Sequence, residues 1–246
     1  MNRDIIAFTK YKFNVYGKKD IRSGRDSAVV GIVGKSKSLD FPTMLIFWSL
    51  VRNSVVLAVY LLFSVACFLT VHEHLAIECL EFLMQEITDT ALESLDEKML
   101  DNLVTWQYNG SRTTIEEFRQ LNRTTQAEII EYIKNFLIYE ELKVSDKDYL
   151  LVHGGLGNFY PGKDIEEYSL KELVWDRAEY DITYFSEKYV ITGHTPTQDI
   201  PGNPNPGYIF KGNNHIALDC GCNRPDGRLA AICLDTMGEY YVERED

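Results

Sequence analysis

Two histidines stand where this chain could do metal or phosphate chemistry. His153 closes the apolar part of YLLVHGG, residues 149–155, and His194 follows the strand-like run of YVITGHTPT, residues 189–197. In the first, four apolar or aromatic residues lead without a break into the histidine, which predicts a strand buried on both faces. Gly154 and Gly155 allow a sharp turn at its C-terminal end, and Gly193 stands beside His194 in the same way. Both histidines are therefore expected at strand tips, where open α/β sheets place their ligands. One such histidine would more often be a hydrogen-bonded core residue. Two in the same glycine context point to a single metal or phosphate site.

Other motifs carry less. GIVGKSKS ends in Gly34-Lys35-Ser36, but its glycines, Gly31 and Gly34, lie three apart where a phosphate-binding loop needs five. Cys220-Gly-Cys222 has no second cysteine pair, so no structural zinc site is expected there.

The elements that must position the histidines emerge clearly only downstream of residue 71. Ala76, Leu80, Leu83, Met84 and Ile87 mark one helix face, and Leu92, Leu95, Met99 and Leu103 another. Thr114…Glu117 and Thr125…Glu128 have the spacing of capping boxes that would open further helices. Residues 141–144, a turn at 145–148 and residues 149–153 form an expected hairpin. Ser169…Glu172 opens a short helix ending near Trp175-Asp176-Arg177. Four prolines between 196 and 206 predict an irregular loop. Residues 215–220, 228–235 and 239–242 are expected to be closing strands, the last two joined at Met237-Gly238.

Size and composition set the outer limits. The 246 residues suffice for one large domain with a substantial core. A net charge of −12 argues against a duplex nucleic-acid binder, which needs a basic face for phosphates. Five scattered cysteines suit a reducing cytoplasm. The average conceals a break, however. Residues 1–71 hold ten Lys/Arg, four Asp and no Glu, whereas residues 72–246 hold fifteen Lys/Arg and thirty-three Asp/Glu. Residues 1–44 are weakly patterned, with an apolar run only at 28–33. Residues 53–71 are nineteen in a row without a charge, long enough to span a bilayer and preceded by basic residues. Their Val, Phe and Tyr content equally suits buried strands.

His72-Glu73-His74, the VHGGL of 152–156, the LVWDR of 173–177, GHTPT at 193–197 and ALDCGC…GRLAAICLD across 217–235 occur in this order. Together with Trp106…Asn109-Gly110…Thr113, they make residues 72–246 resemble the calcineurin-like metallophosphoesterases. The resemblance is to the bacterial branch that includes serine/threonine protein phosphatases and diadenosine-tetraphosphate hydrolases. It implies an α+β fold, a β-sandwich flanked by helices, with two divalent metals (Mn, Fe or Zn) at strand ends. It further implies that His153 and His194 ligate metal, that His72 is the general acid toward the leaving oxygen, and that Arg177 grips the substrate phosphate. The implied activity is two-metal hydrolysis of phosphomonoesters of phosphoproteins, or of dinucleoside polyphosphates, by a cytoplasmic enzyme.

The upstream part departs from that family. Its Asp-x-His and Gly-Asp-x-x-Asp-Arg motifs occur nowhere in residues 1–71, and Thr70-Val71 replaces the Gly-Asn before the motif histidine. Little activity is therefore expected of the chain as written. A reading-frame disruption upstream of His72 would account for the composition break and the missing motifs together. The alternative is a non-catalytic phosphate-binding protein anchored to a membrane through residues 53–71.

Overall fold

Strand direction divides this α+β protein into two kinds of sheet. The computed structural model describes residues 11–19, 26–34, 66–67, 70–85 and 96–243. These fall into two compact units, one holding the described residues of 69–136 and the other those of 11–68 and 137–246.

The first unit is helical. Its elements are α1 (Val71–Met84), α2 (Glu97–Tyr108), α3 (Arg112–Arg119) and α4 (Arg123–Lys134). Helix α1 buries Val71, Leu75 and Cys79 together with Ala76 and Leu80, the i, i+4 stripe of a helix with one apolar face. Thr70 caps it, accepting from the His72 N–H at 3.2 Å. Asp96 caps α2 by accepting from the Met99 N–H at 2.7 Å. The two expected capping boxes are not formed. Helix α3 starts at Ser111 without a side-chain cap, and Asn122 opens α4 by accepting from the Thr125 N–H at 3.0 Å. Thr114 and Thr125 therefore lie inside helices. The amide of Asn122 takes the N-cap position three residues ahead of Thr125, a place that asparagine fills as well as threonine does. Ile87, Leu92 and Leu95 lie outside the described residues.

The second unit holds ten strands among the described residues. Strands β1 (Tyr11–Lys19), β2 (Asp26–Gly34) and β3 (Ala66–Cys67) join β9 (Arg228–Cys233) and β10 (Gly238–Glu243) in a sheet of order β10-β9-β2-β1-β3, every pair antiparallel. The second sheet has the order β4-β5-β6-β8-β7, built from β4 (Tyr139–Val144), β5 (Lys147–Val152), β6 (Lys188–Thr192), β7 (Phe210–Gly212) and β8 (His215–Ala217). In it β5, β6 and β8 run parallel, Leu151 lying opposite Ile191 and Thr192 opposite Ala217. The hairpin β4–β5 turns through Ser145 and Asp146, both with positive φ.

One hydrophobic cluster takes side chains from both sheets. Tyr149, Leu151, Ile191 and Ile216 come from the mixed sheet, and Ala230 and Ile232 from the antiparallel one. As expected from its apolar run, β5 is buried on both faces, since Leu150 and Val152 are as inaccessible as Tyr149 and Leu151. Each such side chain contributes roughly 1.5–3 kcal/mol by leaving water.

Of the nineteen-residue apolar run, Ala66–Cys67 form β3 and Val71 begins α1. Residues 53–65, like Lys35 and Ser36, lie outside the described residues. Among the described residues no helix is long and apolar enough to cross a membrane.

Candidate functional site

Three parallel strands end at one edge of the mixed sheet, and each is followed by a residue able to do chemistry. His153 succeeds β5, Gly193-His194 succeeds β6, and Leu218-Asp219 succeeds β8. Backbone hydrogen bonds lock the tips together. Gly193 N–H donates to the His153 carbonyl at 3.0 Å, Leu218 N–H to the Thr192 carbonyl at 2.9 Å, and Thr197 N–H to the Asp219 carbonyl at 2.7 Å.

The two predicted tip histidines meet, with ring centroids 5.1 Å apart and planes inclined at 65°. His153 is buried. His194 sits at φ 62°, a left-handed conformation uncommon outside glycine that turns the chain sharply off β6. Burial pushes the His194 imidazole below its ordinary pKa, and the nearby Arg177 charge pushes it the same way. The Trp175 backbone carbonyl, accepting from the ring, opposes them. Burial and the Arg177 charge thus favour the neutral ring, one nitrogen of which is tied to the carbonyl.

Arg177 is exposed and close enough to act electrostatically on both His194 and Asp199. Its segment is fixed by helix α5 (Leu170–Val174), whose predicted capping box is formed. Ser169 and Glu172 cap each other's backbone, Ser169 N–H donating to Glu172 Oε2 at 2.7 Å and Glu172 N–H to Ser169 Oγ at 3.3 Å. The glycines after His153 let this segment come close. A Cβ on Gly154 would stand 2.7 Å from the Asp176 carbonyl oxygen, and one on Gly155 would stand 2.6 Å from the Ala178 nitrogen. Gly154 N–H donates to the Leu173 carbonyl at 2.8 Å, and Gly157 N–H to the Glu172 carbonyl at 3.1 Å.

His153, His194 and Arg177 are thus gathered at one edge. His72 lies in the other compact unit, half-buried in the first turn of α1. Residue-by-residue reading of the sequence missed Asp219, although it follows an apolar run and precedes Gly221 by two residues, the same grammar as the histidine tips. Its carboxyl is buried, which pushes its pKa up. The Gly221 N–H at 2.9 Å and the Arg224 charge partly offset that rise. Arg224 in turn forms a two-point pair with Asp199, at 2.8 and 2.6 Å. His215 is a core residue. Thr192 Oγ1 lies 2.8 Å from its Nε2, Tyr180 stacks on the ring at 4.8 Å, and burial pushes it down to about 4.

His194 fits the role of a metal ligand, because such histidines commonly tie their second nitrogen to a backbone carbonyl. The set as a whole does not fit the two-metal centre. Among the described residues no three His, Cys, Asp or Glu side chains are grouped to hold a metal ion, and the sequence lacks the Asp-x-His and Gly-Asp-x-x-Asp-Arg motifs. Two imidazoles alone hold a divalent ion weakly.

No protein-family model matches the chain, and no curated protein matches it.

Proposed function

We propose that the parallel-strand edge is a phosphoester site of the metallophosphoesterase kind, which binds a phosphorylated protein or a nucleotide by its phosphate and turns it over poorly in this chain. The convergence of His153, His194 and Arg177 on that edge carries this reading. The planar guanidinium of Arg177 offers two parallel N–H donors to two phosphate oxygens. His194, as the neutral ring, adds a lone pair that accepts a proton from the ester or shares a cation with it. The tight packing of Gly154 and Gly155 against residues 174–178 holds the segment that carries Arg177 close to the end of β5.

Hydrolysis of an aryl phosphate with and without manganese tests the reading. Slow, manganese-dependent turnover that falls in Arg177→Ala is expected. Vigorous manganese-stimulated turnover abolished by His153→Ala would overturn the statement that turnover is poor. A second reading, a phosphate-binding protein with no turnover, draws on the lack of a third grouped ligand among the described residues. It predicts phosphate binding with no hydrolysis at any manganese concentration.

A further inference from the structure

Lys163 is an ammonium group sunk into a loop far from water for its type. Its side chain is only 7% exposed, and that of its ion-pair partner Glu172 is 13% exposed, with Nζ 3.0 Å from Oε1. The other two ammonium hydrogens face the Gly157 carbonyl at 3.5 Å and the Asn158 carbonyl at 3.4 Å. The Tyr168 ring lies beneath, its centroid 3.8 Å from Nζ. All three donors of the lysine have acceptors and its remaining side is covered by a π face.

Glu172 is equally saturated. Its Oε1 also accepts from Asn158 Nδ2 at 2.9 Å, and its Oε2 accepts from the Ser169 N–H at 2.7 Å and Ser169 Oγ at 2.9 Å. The Asn158 hydrogen bond first, then those of Ser169 and Lys163, hold the carboxyl down to about 2. The pair therefore joins the loop that follows His153 to the first turn of α5. The Trp175 carbonyl that accepts from His194 and the Arg177 guanidinium both lie in the chain just beyond that helix.

We propose that the Lys163–Glu172 pair is a clasp that positions Arg177 for phosphate. Lys163 and Glu172 are positioning residues: they set the distance between the His153 loop and the segment 173–178, and phosphate affinity depends on that distance. This rests on the reading of the strand edge as a phosphate site.

Two measurements on the full chain separate the clasp from the site. The first is amide hydrogen exchange at Gly154 and Gly157, whose N–H groups donate to the Leu173 and Glu172 carbonyls. The second is titration with inorganic phosphate followed by 31P NMR. In Lys163→Met, exchange at both glycines is expected to rise about tenfold or more as the loop opens locally. Phosphate affinity is expected to fall by about tenfold in the same variant, as Arg177 loses its geometry. Lys163→Arg, which keeps the charge, restores part of that affinity. In an Arg177→Ala background, Lys163→Met has no further effect on affinity, since the two act through one contact.

Faster exchange with unchanged phosphate affinity would make the pair a merely structural tie and overturn the proposal. Unchanged exchange would also overturn it. Phosphate binding absent from the wild type, or unaltered by Arg177→Ala, would instead remove the phosphate site itself, and the clasp's role with it. Should Lys163→Met not fold, Asn158→Ala decides alone. A drop in affinity of about threefold, the loss of one modest hydrogen bond, supports the clasp, and no drop overturns it.

Discussion

The two sheets of the larger unit share one core and differ in strand direction. In the sheet β10-β9-β2-β1-β3 every neighbour is antiparallel, so its strand ends alternate and no edge collects C-termini. In the other sheet β5, β6 and β8 are parallel, and three C-termini fall side by side. Parallel neighbours need crossover connections, and these connections carry Lys163, Arg177 and Asp199. Direction, more than composition, decides which sheet gathers titratable side chains at one edge. β9 is as apolar as β6, and its end at Cys233 leads only into the turn at Thr236-Met237.

Substitutions can sharpen that contrast. The largest effect is expected where the sheets are alike. Leu151→Ala in the mixed sheet and Ile232→Ala in the antiparallel one should each cost roughly 2–5 kcal/mol in urea unfolding, because both are fully buried in the shared cluster. A negligible cost for either would separate the sheets energetically. Acid should act through the mixed sheet. His215 is pushed down to about 4 in the fold against about 6.5 when unfolded, so the unfolded chain binds the extra proton. Stability present above pH 6.5 should be lost as pH falls toward 4, by about 3 kcal/mol, with no further loss from this group below that. In His215→Phe the loss of stability between pH 7 and pH 4 should shrink by that amount; an unchanged loss would assign it elsewhere.

Gly154→Ala sets the new methyl against backbone oxygens of Asp176 and Val174. A cost of roughly 1–3 kcal/mol is expected, as for overpacked sites, together with weaker phosphate binding. Retained affinity would show that residues 173–178 can shift without moving Arg177. The smallest effect is predicted for Asp199→Asn. This removes a half-exposed ion pair with Arg224, worth at most about 1 kcal/mol in thermal unfolding.

Local signals made parts of this structure legible in advance. The apolar run into His153 gave β5, Ser169…Glu172 gave the capped start of α5, and Met237-Gly238 marked the β9–β10 turn. Strand β1 went unread even though Tyr11, Phe13 and Val15 alternate with Lys12 and Asn14, because the basic residues around it masked a period of two. Asp219 follows an apolar run, but its place beside the histidines comes from the pairing of β8 with β6, a contact between segments far apart in sequence. Nothing in the sequence singles out Lys163. Its burial depends on Tyr168 and Glu172 folding back over it, which no spacing announces.

The most direct test of the phosphate edge is a 31P NMR titration of inorganic phosphate into the full chain, beside Arg177→Ala and Arg112→Ala. Arg112 is an exposed arginine of the helical unit, paired with Glu116 at 2.8 Å. Saturable binding in the wild type and in Arg112→Ala, weakened about tenfold or more in Arg177→Ala, is the predicted result. Equal binding in all three proteins would contradict the account.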